Sequence, residues 1–127
     1  MEGFVTFIAP RKSDSTTYPA GIGLRVEELS SRTVSLEEIT RVQIENLTQS
    51  YPDFDLVVSS ATTLAANPAH KIEFTATDDK EEKCNAMQIW TLKDDRAYLF
   101  TYKANPKNYS AYFQAVQSML QSFKIVE

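Results

Sequence analysis

The sequence predicts an α+β fold: an α/β/α sandwich with a central antiparallel sheet of about six strands and two main helices. Three observations predict it. Residues 84–103 read as two strands around a tight turn, a long amphipathic stripe at helical spacing follows them, and an earlier segment begins with a helix-capping pattern. The elements follow the order ββαββββα, in which short connections between successive strands favour antiparallel pairing.

Two strands are expected before the first helix. The first spans Phe4–Ala9, and a polar loop follows over residues 10–20. The second spans Gly21–Leu29, where apolar side chains at positions 22, 24 and 26 alternate with charged ones at 25 and 27. This period of two is typical of a strand with one buried face.

Both helices carry recognisable start signals. Ser35 followed by Glu38 is a capping box, and Pro52 ends the helix that it opens. Asn105 is expected to cap the last helix, with Pro106 at its first position. That helix carries an apolar stripe with a sheet to lie on: Tyr109, Tyr112, Phe113, Val116, Met119, Leu120 and Phe123.

The remaining four strands lie between the helices. The third is expected over Phe54–Thr62, and the fourth begins at Pro68. The fifth, Cys84–Leu92, and the sixth, Arg96–Lys103, flank a turn at residues 93–95. Asp is favoured in such turns because its side chain bonds to the local backbone.

Composition excludes several classes of function. The 127 residues, 43% hydrophobic and 24% charged, suit one globular domain that buries about two-thirds of its unfolded surface. A net charge of −4 with scattered basic residues argues against a nucleic-acid partner. A single cysteine rules out an internal disulfide and a cysteine-based zinc cluster, and three glycines leave no phosphate-binding loop. We therefore expect no cofactor, and no apolar run is long enough to insert into a membrane.

The chain opens almost directly into a strand. We expect residues 1–127 to be one domain that is truncated at its N-terminal edge or excised from a longer protein. The compartment stays open between the cytoplasm and the periplasm or thylakoid lumen, because a disulfide-free domain suits either side of a membrane.

Candidate catalytic and metal-binding residues are sparse, and we expect no catalytic residue. His70 is the only histidine, and its strand phase places it beside apolar positions, as in a structural histidine. Cys84 has no second histidine to pair with and reads as a structural thiol. The weak metal candidates are His70 and the carboxylates of a charged hairpin tip, Asp78, Asp79, Glu81 and Glu82.

Two aromatic residues on strands are candidates for a partner surface. Trp90 and Tyr98 are expected to show an exposed face, whereas the aromatic stripe of the last helix is expected to be core.

Several segments resemble the PsbP family, the extrinsic proteins of photosystem II, and its wider PsbP/Mog1-like fold group. The segments are residues 3–10, 87–92, 97–104 and 109–125. The resemblance implies an antiparallel sheet between helices and carries no site. An N-terminal Gly-Phe-x-Ile-x-Tyr-Pro segment usual in the family is absent, which is a further reason to expect truncation. Openings like residues 4–10 also resemble domains that follow the kinase domain in cyanobacterial serine/threonine kinases.

The resemblance implies a non-catalytic binding or regulatory domain. The sharper expectation is the C-terminal sensory or interaction domain of a bacterial serine/threonine kinase. A protein partner or the attached kinase domain is then expected to bind it, and a small ligand is a further candidate. A free-standing photosystem II accessory or assembly protein is a second interpretation. A metal-assisted hydrolase using His70 and the acidic tip represents another class.

Overall fold

The computed structural model describes residues 2–8, 20–29, 34–77 and 82–122, with the backbone alone for residues 2–8 and 20. The elements are β1 (Glu2–Ile8), β2 (Ala20–Glu28), α1 (Leu36–Ser50), β3 (Asp55–Leu64), β4 (Asn67–Thr77), β5 (Lys83–Lys93), β6 (Arg96–Ala104) and α2 (Tyr109–Ser122). This is the predicted order, ββαββββα. No helix of the described ranges is long and apolar enough to cross a bilayer.

The six strands form one antiparallel sheet in the order β1-β2-β6-β5-β4-β3. Helix α1 connects β2, near one edge of the sheet, to β3 at the opposite edge. Strands β3 to β6 then follow one another as hairpins, so that β5 and β6 occupy the centre. The predicted antiparallel sheet with two helices is confirmed.

Helix α2 packs on one face of the sheet. The buried residues there form a single cluster: Ile22, Leu64, Ala69, Met87, Ile89, Phe100, Tyr102, Ala104 and Val116. Partly buried side chains of α2, including Tyr112, Phe113 and Leu120, pack against this cluster. The part of the apolar stripe that lies within α2 therefore holds the helix on the sheet, although Met119 is 39% exposed at its margin. Phe123, the last residue of the predicted stripe, lies outside the described residues.

Helix α1 covers the opposite face, over a second cluster: Leu47, Ile72, Phe74, Ala76, Ala86 and Trp90. Strand β5 contributes alternate residues to the two clusters, Met87 and Ile89 to one and Ala86 and Trp90 to the other. A strand covered on both faces is the middle layer of an α/β/α sandwich, which confirms the predicted layers.

The structure corrects the inner face of α1. Helical spacing after the Ser35 cap predicts that Leu36, Ile39, Val42, Leu47 and Tyr51 share the inner side of α1. The Val42 side chain is instead 44% exposed, and Ile44 packs against the cluster. Leu36, Ile39 and Tyr51 lie on the packed side as expected.

The predicted Ser35 cap is present, whereas Asn105 caps a turn that precedes α2, and Pro106 is not the first residue of that helix. The Ser35 side chain accepts a hydrogen bond from the Glu38 backbone N–H at 3.1 Å, a contact typically worth about 1 kcal/mol. The Asn105 side chain accepts from the Asn108 backbone N–H at 3.0 Å. That bond closes a turn over residues 106–108, and the regular part of α2 begins at Tyr109.

The β3–β4 connection is tighter than the sequence indicated. Both strands extend beyond the predicted limits of Thr62 and Pro68, and only Ala65 and Ala66 remain in the turn. Their φ angles are 51° and 65°. Two left-handed residues in a two-residue turn match the geometry that hairpins favour, but the usual signal, Asn-Gly or Asp-Gly, is missing here.

Candidate binding groove

An open groove runs along one side of α2, between the helix and the sheet. Its larger part has a volume of about 720 Å³ and lies by the C-terminal half of α2. Its lining comes from β3, the β3–β4 turn, β4, β5 and α2: Thr62, Thr63, Ala65, Ala66, Lys71, Met87, Ile89, Gln117, Leu120 and Gln121. A smaller part of about 430 Å³ lies by Glu73, Tyr109 and Phe113, and Gln117 lines both parts.

The groove exists because α2 covers only part of its face of the sheet. The helix lies over β2 and β6, toward one side of the sheet. On the same face, β3 presents Val58, Ser60 and Thr62, of which Ser60 is exposed and the other two are partly buried. Among the described residues, α2 leaves the β3–β4 hairpin uncovered, so the hairpin forms one wall of the groove and the flank of α2 forms the other.

Charged groups stand on the β4 side of the groove. The ammonium of Lys71 lies 3.9 Å from a carboxylate oxygen of Glu73, and both side chains are about one-quarter exposed. The other carboxylate oxygen of Glu73 accepts a hydrogen bond from the Tyr109 hydroxyl at 3.1 Å. Burial, and next the negative charge of Glu73, raise the pKa of Tyr109 well above its ordinary range. Tyr109 therefore stays a neutral donor that orients Glu73.

An aromatic cluster closes the N-terminal end of the groove. The rings of Tyr102 and Tyr109 stack with centroids 4.9 Å apart, and Phe113 lies 5.5 Å from Tyr109. The Tyr102 hydroxyl donates to the backbone carbonyl of Tyr109 at 2.6 Å. These contacts join β6 to the first turn of α2 at this end of the groove.

The strained turn stands at the other end. Ala65 and Ala66 both line the groove in left-handed conformations, which for an alanine cost about 1 kcal/mol or more each. The Asn67 side-chain amide donates to the Ala65 carbonyl at 2.9 Å and supports the turn. These positive φ angles are the ones that a two-residue hairpin turn requires, so the strain belongs to the turn itself.

His70 lies on the other face of the sheet. Its Nε2 is 2.7 Å from the Ser59 hydroxyl oxygen, and its ring stacks on Trp90 with centroids 5.8 Å apart. A serine–histidine pair resembles the start of a nucleophilic site, but such a site also needs a group that orients the histidine. Among the described residues no carboxylate bonds to His70, so the pair reads as a cross-strand contact.

The candidate metal ligands are not brought together where the structure describes them. Asp78, Asp79 and Glu81 lie outside the described residues. Glu82 is exposed just before β5, whereas His70 lies seven residues before the Thr77 end of β4, about 23 Å along the strand. The described residues contain no group of three His, Cys, Asp or Glu side chains that could hold a metal ion.

The expectation of an exposed face on Trp90 and Tyr98 is wrong. Trp90 is 1% exposed and Tyr98 is 8% exposed. Trp90 lies beneath α1, where its indole N–H donates to the Thr40 hydroxyl at 2.8 Å. The sequence pattern marked these positions as strand residues but did not show that a helix covers Trp90. Cys84, at the start of β5, is also buried, in keeping with a structural thiol.

No pattern in the sequence reveals the groove. Its side chains are ordinary ones, such as Lys71 and Gln117, spread over four elements and one turn. The run Ala65-Ala66 carries no recognisable turn signal. The alternation of β4 puts Lys71 and Glu73 on one face of the strand, but no sequence pattern shows how far α2 reaches across the sheet.

Comparison with known proteins supports the fold and leaves the function open. No protein-family model and no curated protein sequence matches the chain. Among solved structures, PA94 of Pseudomonas aeruginosa, described as a candidate regulator of unknown function, superimposes with a TM-score of 0.85 at 12% identity. That alignment covers 100% of this chain and 85% of PA94.

Two further structures connect the chain to the fold group that the sequence resembles. The Ran-binding protein Mog1p of Saccharomyces cerevisiae matches with a TM-score of 0.59 at 10% identity, over 93% of this chain and 74% of Mog1p. Cyanobacterial PsbP from Synechocystis sp. PCC 6803 matches with a TM-score of 0.59 at 13% identity, over 98% of this chain and 82% of its own. The fold is therefore PsbP/Mog1-like, and identities this low carry no function with them.

Proposed function

We propose that the chain is a non-catalytic, PsbP-like binding domain that takes a small amphipathic ligand in the groove beside α2 and acts through a protein partner. The observation that carries the proposal is the groove itself, open to solvent and about 720 Å³ in its larger part. Small-molecule sites typically have volumes of about 300–1,000 Å³.

The lining has the chemistry of a ligand site. Met87, Ile89 and Leu120 supply apolar surface, while Lys71 and Gln117 supply polar groups that orient a bound molecule. A few polar groups set into an apolar lining are characteristic of specific small-molecule sites. A ligand with an apolar body and an anionic or amide-like group fits this lining.

A thermal-shift screen of small amphipathic acids and amides tests the ligand. A bound compound should raise the melting temperature by mass action, and Gln117→Trp, which fills the groove at its midpoint, should abolish that shift. Gln49→Trp places the same side chain on the exposed surface of α1 and serves as the matched control. A compound that stabilises both variants equally would place the ligand outside the groove.

The protein partner is supported by the neighbours of the fold. Mog1p is a Ran-binding protein, and PA94 is described as a candidate regulator. The finer proposal is that the domain is the C-terminal sensory part of a bacterial serine/threonine kinase, which rests on the resemblance of residues 4–10 to such domains. Ligand binding would then shift the attached kinase between states, by no more than the difference in ligand affinity between them.

The alternative is a free-standing photosystem II accessory protein, supported by the structural match to cyanobacterial PsbP. An immunoblot of source-cell lysate with an antibody to this domain separates the two. A band near 14.4 kDa contradicts the kinase proposal, and a band several times larger contradicts the free-standing one. A metal-assisted hydrolase has less support, because the described residues place His70 far from Glu82 along the sheet.

A further inference from the structure

We propose that β3 is a self-association edge, where two copies of the chain pair their β3 strands antiparallel about a two-fold axis at Ala61. Strand β3 is the last strand of the sheet, and within the described part of the chain only β4 pairs with it. Its outer backbone N–H and C=O groups are therefore available to a further strand.

Beyond its bulge, this edge lacks the charged residues and prolines that protect a strand against pairing. Natural proteins place charged residues or proline on exposed edge strands to prevent pairing with other chains. Between Asp55 and His70 the sequence contains no Asp, Glu, Lys or Arg, and β3 contains no proline. A bulge between Leu56 and Val58 interrupts the register at one end and leaves residues 58–64 in regular pairing with β4. The regular segment is thus a neutral, seven-residue template.

The sequence of this segment favours a second copy as the partner. An antiparallel two-fold pairing centred on Ala61 places like residues opposite each other: Val58 with Leu64, Ser59 with Thr63, Ser60 with Thr62, and Ala61 with itself. Directly opposed residues of antiparallel strands lie on the same face of the sheet. Hydroxyls therefore meet hydroxyls, aliphatic residues meet aliphatic residues, and no charge is opposed on a chain whose net charge is −4.

The proposed pairing would also join the two binding grooves at the dimer axis. Thr62 and Thr63 belong both to the regular segment and to the groove lining. The inference does not depend on the proposed ligand, because a chain that binds no ligand still presents the same edge.

The direct test measures molar mass by light scattering after size-exclusion chromatography of the full chain over increasing concentration. We expect a rise from 14.4 kDa toward twice that value, because a strand pair alone gives a modest, concentration-dependent dimer. A mass of 14.4 kDa throughout the concentration range overturns the proposal.

Charge substitution at the axis tests the register. Ala61 is exposed, so Ala61→Lys should fold but stay monomeric, because the two-fold axis opposes the introduced lysines. Mixing Ala61→Lys with Ala61→Glu should restore the dimer. Ala111→Lys, at an exposed position of α2, is the matched control and should dimerise like the parent chain. A dimer that Ala61→Lys leaves intact must use another surface and overturns the proposal.

Disulfide cross-linking can detect the pairing even if the dimer is weak. Opposed Cα atoms in an antiparallel pair are about 4.5–5.5 Å apart, within the range of about 4.4–6.8 Å that a disulfide spans. Ala61→Cys should therefore form a disulfide-linked dimer on oxidation, whereas Ala111→Cys should not. Equal cross-linking of the two variants would show random collision and contradict the pairing.

Discussion

Ala65 and Ala66 adopt a backbone conformation that alanine disfavours but the β3–β4 turn requires. Both hold positive φ angles of 51° and 65° in the β3–β4 turn, whereas the β5–β6 turn meets the same requirement with Asp94 and Asp95. Aspartate tolerates the left-handed region better than alanine, because its side chain bonds to the local backbone. The alanine turn is thus kept in place by the hairpin around it.

Ala66→Gly should raise the free energy of unfolding by about 1 kcal/mol, because glycine adopts positive φ without a Cβ clash. Urea denaturation measures the change. Ala115→Gly, at an exposed position inside α2, should have the opposite effect, lowering stability by about 1 kcal/mol. Destabilisation by Ala66→Gly would contradict the backbone conformation of this turn.

At the scale of elements, the contact between β6 and α2 depends on two tyrosines that must stay neutral. Burial, with a smaller effect from Tyr112, raises the pKa of Tyr102 to about 12 from an ordinary value of 10.0. The pKa of Tyr102 is higher in the folded chain than in the unfolded chain. The stability that the neutral Tyr102 hydroxyl contributes is therefore complete below pH 10 and is lost as the pH rises through 12. Tyr109 has a raised pKa for the same main reason.

The chain should therefore lose stability above pH 10, and Tyr102→Phe should lose less over the same interval. Melting temperatures measured in steps from pH 8 to pH 12 test this expectation. Each variant is compared with its own value at pH 8, because Tyr102→Phe also removes the hydrogen bond to the Tyr109 carbonyl. If the melting temperature of both chains falls by the same amount between pH 8 and pH 12, ionisation of Tyr102 is not the cause of the lost stability.

At the scale of the whole molecule, Trp90 links α1 to the sheet. Its ring lies among the residues beneath α1, its N–H bonds to Thr40 of that helix, and it stacks against His70 of β4. The neighbouring polar contacts extend this link, since Gln43 of α1 donates to Gln88 of β5 at 2.8 Å. Removing the indole should loosen both layers together.

Trp90→Ala should destabilise the fold by about 3–5 kcal/mol, the cost of a large buried cavity. Trp90→Phe should cost less, because it retains much of the apolar volume and mainly loses the bond to Thr40. Trp90 is the only tryptophan, so its replacement removes the tryptophan fluorescence that would otherwise follow unfolding. Unfolding in urea should therefore be followed by far-ultraviolet circular dichroism. Met119→Ala, at a 39% exposed side chain, should change stability little. A loss of less than about 1 kcal/mol in Trp90→Ala would contradict the burial of Trp90 beneath α1.

The sequence by itself determined the order and type of the elements, the two capped helices and the antiparallel sheet. These follow from periodicity and capping, which depend on residues close together in the chain. Only the tertiary structure decided that Trp90 is covered by α1, that Ala65 and Ala66 make a two-residue turn, and that α2 leaves a groove over β3 and β4. The reason is physical: coverage and openness depend on where a helix comes to rest across the sheet. The position of α2 depends on its packing against side chains from five strands, which lie far apart in the sequence and so form no local pattern.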